Sequence, residues 1–150
     1  MSARTFPADI PHGFHAHDRR SPVTDAWRPI YSRTDTESIT LALRVDDQHC
    51  NGRGFLHGGV IASLADNAMG LSAHRAAEAR GRPIDGGALT LGLSVDYLSV
   101  AERGTWIEMR CRVHDLGRSI GVVDCLVATG DERTIARANA SFRFRTSEPA

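Results

Sequence analysis

The amino-acid sequence predicts an α+β protein in which one long helix packs against an antiparallel sheet. Residues 57 to about 80 form one stretch with the apolar spacing of a helix, whereas five other runs alternate apolar and polar residues as strands do. The turn segments between the last runs are short, which indicates antiparallel neighbours. A helix and a sheet that are each apolar on one face bury those faces against each other. The 150 residues are enough for one domain.

The chain begins with a segment that shows no periodicity. Residues 1–26 are rich in Pro, His, Arg and Asp, and His12, His15 and His17 lie close together in the sequence. A metal-binding tract is one interpretation of these histidines, but we favour a solvated tail. We therefore predict an N-terminal arm over residues 1–26 and a single domain over residues 27–150.

Five strands are predicted after the arm. They cover residues 38–45, 88–98, 105–113, 119–130 and 133–144. In the run at 88–98, alternate residues from Leu89 to Tyr97 share one apolar face, with Thr90 on the other. Turn signals lie at residues 101–104, 115–118 and 130–133. We expect each of these three turns to join neighbouring antiparallel strands.

The composition argues against several functional classes. The 18 basic and 18 acidic residues cancel, so the chain lacks the positive charge expected of a nucleic-acid binder. No apolar run approaches the length that spans a membrane, and the N-terminus has no signal-peptide core. The cysteines, Cys50, Cys111 and Cys125, show no CxxC spacing. We expect them to be reduced, without a metal site, in a cytoplasmic protein.

Two motifs match catalytic or cofactor signatures without the context those signatures need. The sequence GRSIG at 117–121 matches a nucleophile elbow, but a predicted strand follows Ser119 and the last histidine is His114. The sequence GRGFLHGG at 52–59 has His57 where a dinucleotide-binding loop needs glycine, and no second helix completes a βαβ unit. We therefore predict neither a serine hydrolase nor a dinucleotide cofactor.

Two stripes of residues run along the predicted helix. The apolar stripe, which we assign to the sheet, consists of Val60, Ile61, Leu64, Ala65, Ala68 and Leu71. The second, called the small-residue stripe below, consists of Gly59, Ser63, Asp66, Asn67 and Gly70. A solvated helix face usually carries Lys, Glu or Arg, and none occurs between residues 54 and 74. The small-residue stripe therefore indicates a surface that packs closely against a partner.

The predicted helix start carries His57 followed by Gly58 and Gly59. Free N–H groups at a helix start bind anions and developing oxyanions, and glycine leaves them accessible. Asp66 lies nine residues after His57, which is roughly 13 Å along the helix axis. One helix therefore cannot bring its own start and its own Asp66 to one reacting carbonyl. An antiparallel second copy can, so the spacing indicates a two-fold dimer with two shared sites.

The stretch NGRGFLHGGVIASLADNA, residues 51–68, resembles the N-x-x-G-x-x-H-G-G…D signature of hotdog-fold thioesterases of the phenylacetate-pathway, or PaaI-like, branch. The resemblance implies a hotdog fold, in which a curved antiparallel sheet of five to six strands wraps a long central helix. It also implies hydrolysis of an acyl-CoA thioester by a homodimer that assembles into a homotetramer. Coenzyme A is then part of the substrate, and no cofactor is needed.

The resemblance implies a role for each matching residue. Asp66 would be the general base or the nucleophile, and the Gly59 N–H would polarise the thioester carbonyl. Asn51 would position the attacked group or water, His57 would support the loop and the leaving thiolate, and Thr90 would orient water. The substrate-binding residues would be Gly58, Asn67, Arg118 and Ser119, the last two at a turn where relatives contact the CoA nucleotide. A plain hairpin turn is the alternative for Arg118 and Ser119.

Alternatives to catalysis remain at this point. Asp66 has a structural alternative, although a buried aspartate within a helix then needs a firm polar partner. A hotdog protein that binds acyl-CoA without cleaving it is the second hypothesis, and a hydratase is the weakest because Leu71 stands where an Asp/His dyad would need histidine. Aromatic and medium-chain acyl groups both remain open. We expect the acyl pocket to include Phe14, Trp27, Tyr31 and Leu89.

Overall fold

The computed structural model describes residues 9–146, in which seven strands surround one long helix. The strands are β1 (His15–Ala16), β2 (Tyr31–Thr34), β3 (Ile39–Arg44), β4 (Ile84–Tyr97), β5 (Trp106–Leu116), β6 (Ile120–Thr129) and β7 (Thr134–Thr146). The helices are α1 (Pro22–Asp25), α2 (Gly58–Ala79) and a 3-10 helix (Asp47–His49). All strands form one antiparallel sheet in the order β1-β2-β3-β5-β6-β7-β4. The α+β class and the helix over residues 57 to about 80 are confirmed.

The sheet has seven strands instead of the five to six predicted. The two additional strands, β1 and β2, are short. Their pairing depends on tertiary structure. His15 and Ala16 lie opposite Ser32 and Tyr31. Neither strand carries an apolar alternation long enough to be recognised in the sequence. His15 and Ala16 of the predicted arm thus extend the sheet at one edge, and His17 is buried. The expectation of a solvated tail is therefore wrong for this part of the arm.

The connection between β4 and β5 does not join neighbours, so that expectation is wrong. β4 lies at the sheet edge beside β7, whereas β5 pairs with β3. The connecting segment passes the start of α2, where the Leu56 N–H donates to the Ala101 carbonyl and the Val45 N–H donates to the Thr105 carbonyl, both at 2.8 Å. These bonds carry the chain past the helix start. The turns before β6 and β7 do join neighbours.

Helix α2 packs its apolar stripe on the sheet, as predicted. All six stripe residues are buried, and they join one core with residues of β3, β5, β6 and β7. Leu64 is 1% exposed, and full burial of a leucine contributes about 1.5–3 kcal/mol. Within residues 9–146, no helix is both long enough and apolar enough to cross a membrane.

The opposite face of the sheet carries a second, smaller cluster. Phe14 and Tyr31 both pack against Trp106, with ring centroids 5.4 Å apart in each pair. Tyr31 pairs with Ala42, whose side chain points away from the main core. Phe14 and Tyr31 therefore stabilise the outer face of the sheet. Trp27 packs against the main core. The place of these aromatic residues in an acyl pocket stays a prediction.

A β-bulge interrupts the alternation of the two side-chain faces along β4. Leu93 pairs with Ala140 and faces the helix, whereas Leu89 pairs with Arg143 and faces outward. The register shifts between Thr90 and Gly92. The expectation that Leu89 and Leu93 share one face, opposite Thr90, is therefore wrong. Because of the shift, Thr90 points toward α2.

Candidate active site

A cleft of about 200 Å³ lies between the middle of α2 and the edge strand β4. The residues that line it come from the helix, from β4 and β7, and from the segment between β1 and α1. They are Arg19, Asp66, Asn67, Gly70, Leu71, His74, Gly87, Ala88, Thr90 and Phe142. Of the residues predicted for the site, the structure brings Asp66, Asn67 and Thr90 together here.

Asp66 and Thr90 form the polar centre of the cleft. The Thr90 hydroxyl donates a hydrogen bond of 2.8 Å to Asp66 Oδ1, and both side chains are half-buried. Hydrogen bonds to charged acceptors are short and strong, so this bond fixes the carboxylate orientation. Asp66 Oδ2 makes no hydrogen bond to any residue between 9 and 146. One carboxylate oxygen is thus held, and the other is available for a reacting group.

The backbone of β4 and a glycine of α2 make this pairing possible. Thr90 lies opposite Phe142 of β7, and the bulge that follows keeps its side chain on the helix side. Gly70 faces the Phe142 ring, and a Cβ on Gly70 would lie 3.5 Å from Phe142 Cε1. The Phe142 ring thus lies next to the helix at Gly70, where a Cβ would make an ordinary van der Waals contact.

The start of α2 holds a second group of predicted residues. His57 is the N-cap, and its Nδ1 accepts the Gly59 N–H at 2.8 Å. The amide expected to be free for a carbonyl is thus occupied by His57 in the single protomer. A neutral imidazole that accepts at Nδ1 carries its proton on Nε2. His57 therefore presents a donor at the exposed helix start.

Gly58 is held by Tyr97 at the end of β4. The Tyr97 hydroxyl donates to the Gly58 carbonyl at 2.7 Å, and a Cβ on Gly58 would lie 3.1 Å from Tyr97 Cζ. The glycine is therefore required by the packing of the ring. The Gly58 N–H has no hydrogen-bond partner among residues 9–146, so it is the unoccupied amide of the first helical turn.

Asn51 builds the turn that leads to the helix. Its Oδ1 accepts the N–H groups of Arg53 at 2.9 Å and Phe55 at 3.3 Å. Gly54 has a φ of 79°, which favours glycine. The Asn51 carboxamide NH₂ makes no hydrogen bond within the described part of the chain, and it remains a donor beside the helix start.

The two groups do not meet within one protomer. Asp66 is eight residues after Gly58, which is roughly 12 Å along the axis of α2. Arg118 and Ser119 form a third location, the exposed turn between β5 and β6. The Ser119 carbonyl accepts the Phe144 N–H at 2.9 Å, which holds the turn against β7. The site residues thus occupy the helix start, the cleft and this turn.

Sequence reasoning missed two polar residues of the cleft, Arg19 and His74. His74 lies two turns beyond Asp66 on the same face of α2, so helical periodicity was a usable signal. Burial lowers the pKa of His74, and the positive charge of Arg19 lowers it further. Arg19 reaches the cleft through tertiary packing, and no local sequence pattern marks it.

Comparison with known proteins identifies the family. A sequence profile of the thioesterase superfamily matches residues 53–136. A candidate esterase of Pseudomonas aeruginosa is 35% identical over 137 residues, which cover 91% of this chain and 98% of that protein. The chain belongs to the thioesterase superfamily. It is therefore a thioester hydrolase, as the sequence indicates.

Two solved structures of bacterial proteins are similar in fold to this thioesterase. The protein smu.793 from Streptococcus mutans, bound to acetyl CoA, gives a TM-score of 0.72 at 24% identity, covering 90% of this chain and 99% of that one. The PaaI protein from the phenylacetic acid degradation operon of E. coli gives 0.67 at 22% identity, covering 77% and 78%. The likeness confirms the hotdog fold for this thioesterase.

Proposed function

We propose that this thioesterase hydrolyses acyl-CoA at a reaction centre completed by a second copy of the chain. In the proposed centre, Asp66 and Thr90 come from one protomer, and Asn51, His57 and the first turn of α2 come from the other. The observation that carries the proposal is the Thr90–Asp66 hydrogen bond in a cleft with one carboxylate oxygen free. The roughly 12 Å between Asp66 and the start of its own helix supports the need for a second copy.

The proposed reaction uses the free oxygen of Asp66. As a general base, Asp66 takes a proton from water while the water oxygen attacks the thioester carbon, the C–S bond breaks, and the thiolate leaves to be protonated. As a nucleophile, Asp66 attacks the carbon itself and gives a mixed anhydride that water then hydrolyses. The Thr90 hydroxyl holds Asp66 Oδ1 in either route. In a single turnover in ¹⁸O-labelled water, an unlabelled product with the label in Asp66 identifies the nucleophilic route, in which water attacks the Asp66 carbonyl carbon of the anhydride.

The first turn of α2 supplies the proposed oxyanion site. The thioester oxygen replaces His57 Nδ1 as the acceptor of the Gly59 N–H, and the free Gly58 N–H is the second donor. The displaced His57 donates through Nε2 toward the leaving sulfur, and the Asn51 carboxamide NH₂ positions the attacked group. The helix fixes the orientation of both amide donors before the reaction, so only the His57 ring has to move when the thioester oxygen binds.

The edge of the sheet supports docking of a second copy. β4 is a 14-residue edge strand with exposed Leu89, Leu91 and Leu93. A long edge strand with exposed apolar side chains favours pairing with another strand. Antiparallel pairing of two β4 strands would bring the two small-residue stripes together. We propose this homodimer, and two such dimers would form the homotetramer.

The substrate and its surroundings complete the proposal. Arg118 and Ser119 would contact the CoA nucleotide, since an exposed arginine at a turn can bind phosphate. Asn67 and Gly58 would line the path of the thioester, and the cleft would hold an aromatic or medium-chain acyl group. No cofactor or metal takes part in the proposed reaction, and the proposed location is the cytoplasm.

A panel of acyl-CoA thioesters, assayed with a reagent that detects free thiol, tests the proposal. We expect saturable hydrolysis of at least one aromatic or medium-chain thioester. Replacement of the proposed base by Asp66→Asn should lower kcat by about 10²–10⁴-fold. The matched control Asp35→Asn changes an exposed aspartate in the turn between β2 and β3, outside the cleft, and should retain activity. An inactive wild-type protein whose melting temperature still rises with acyl-CoA would contradict the proposal and indicate a non-catalytic binder.

A further inference from the structure

The cleft beside Asp66 also contains two polar side chains that the proposed reaction does not use, Arg19 and His74. Within residues 9–146, neither side chain forms a hydrogen bond or an ion pair. Burying a polar group without a hydrogen-bond partner is unfavourable. A ligand that covers Arg19 and His74 must therefore provide hydrogen-bond partners for them. Their common position indicates a ligand group that accepts hydrogen bonds.

The backbone that carries Arg19 is anchored. The Arg28 guanidinium donates to the His17 carbonyl at 2.7 Å and to the Arg19 carbonyl at 2.6 Å. His17 itself is buried and interacts with Ser32 Oγ at 3.2 Å. Arg19 is therefore fixed at its Cα beside the cleft, whereas its guanidinium remains available.

Arg19 is exposed and has no carboxylate partner, whereas two arginines close to it in the sequence have one. Arg20 donates two hydrogen bonds to Asp25, at 2.8 and 3.0 Å, and Arg28 also contacts Asp25. Arg80, near the end of α2, is paired with Glu37. Arg19 is thus a cation without a carboxylate partner, at a cleft that otherwise contains one acidic group, Asp66.

The positions along α2 set the spacing between the reacting carbon and these two groups. His74 lies eight residues after Asp66, roughly 12 Å along the axis. Between them the cleft is lined by Gly70, Leu71 and Phe142, which suit methylene groups. An extended chain covers about 1.2 Å per bond, and a hydrogen bond of about 3 Å at the carboxylate end takes up part of the length, so roughly six to eight carbons fit. A guanidinium binds a carboxylate with two parallel hydrogen bonds.

We infer that Arg19 and His74 form a subsite for a carboxylate at the distal end of the acyl group. The substrates of the proposed thioesterase are then ω-carboxyacyl-CoA thioesters of about six to eight carbons. This inference rests on the proposed function. Arg19 supplies the positive charge, and the neutral ring of His74 supplies a further hydrogen bond.

Two thioesters of equal chain length test the subsite. Adipoyl-CoA has a terminal carboxylate and hexanoyl-CoA does not. We expect wild type to prefer adipoyl-CoA at least tenfold in kcat/KM, and Arg19→Gln to lower kcat/KM for adipoyl-CoA about 10- to 100-fold while changing hexanoyl-CoA less than threefold. The neighbouring variant Arg20→Gln is the control and should keep the preference. A wild-type preference for hexanoyl-CoA, or an equal loss for both substrates in Arg19→Gln, would overturn the inference.

Binding to an Asp66→Asn background separates this inference from the proposed function. Calorimetry with adipoyl-CoA, hexanoyl-CoA and CoA alone measures affinity without turnover. Tighter binding of adipoyl-CoA that Arg19→Gln abolishes supports the subsite even if wild type hydrolyses neither thioester, in which case only the proposed function fails. An equal loss of affinity for CoA alone would show that Arg19 contacts a CoA phosphate, and the inference would be wrong.

Discussion

The Thr90→Val variant tests the contact at the centre of the cleft. Valine keeps the branched shape of threonine but removes the hydroxyl that donates to Asp66 Oδ1 at 2.8 Å. A hydrogen bond to a charged acceptor contributes about 1.5–3 kcal/mol, and 1.36 kcal/mol corresponds to tenfold in rate. Both side chains are half-buried, so water replaces part of the bond and the lower end of the range applies. We therefore expect kcat/KM to fall about tenfold.

The assay measures thiol release from the best thioester of the panel, with Thr90→Ser as the matched control. Serine retains the donor and should stay within about threefold of wild type. The melting temperature should change little, because valine is favourable in a strand. A Thr90→Val enzyme within twofold of wild type, or a serine variant as impaired as the valine variant, would refute the role of the hydroxyl.

Three further predictions concern assembly and stability. Leu91→Lys places a charge on the edge of β4, so light scattering should show a smaller assembly and activity should fall; an unchanged mass would contradict docking at this edge. Burial and the charge of Arg28 lower the pKa of His17 in the folded protein. The neutral His17 ring therefore contributes its full stabilisation above pH 6.5, the unfolded pKa, and this contribution is lost as the pH falls through the lower folded pKa. Calorimetry should show that His17→Gln reduces this loss between pH 7.5 and 5. A Cβ at Gly121 would lie 3.0 Å from Phe144 Cε1, so Gly121→Ala should lower the free energy of unfolding by about 1–3 kcal/mol in urea. Gly92→Ala, whose nearest contact is 3.5 Å, should not.

The helix and its two stripes were predictable because one periodicity extends over the whole element. The apolar residues of α2 repeat with the helical period, and the sheet buries all six. The small-residue stripe was visible through the absence of long charged side chains. His57, Gly58 and Gly59 were predictable as the start of the helix. The hydrogen bond from the Gly59 N–H to His57 was not, because it depends on a side-chain conformation that the sequence does not specify.

The parts that sequence reasoning missed depend on tertiary contacts. The alternation of β4 continues in the sequence from Leu89 to Tyr97, so the bulge at Thr90 leaves no signal in the pattern. The place of β4 at the sheet edge depends on a connection past the helix start. Arg19 belongs to a segment without periodicity and reaches the cleft because Arg28 anchors its backbone. The family resemblance marked Asp66 and Thr90 as site residues, but the hydrogen bond between them was not predicted.

The central claim is that each reaction centre takes residues from two protomers, and a hybrid dimer tests it most directly. One chain carries Asp66→Asn, and the other carries Gly59→Val, whose Cβ would lie 3.0 Å from His57 Nδ1 and whose methyl groups are expected to crowd the proposed oxyanion site. Two different affinity tags isolate the hybrid after co-expression. We predict that each parent dimer is nearly inactive while the hybrid recovers about half of wild-type kcat, because one of its two centres is intact. A hybrid as inactive as its parents, with all three proteins folded and dimeric, would contradict the account.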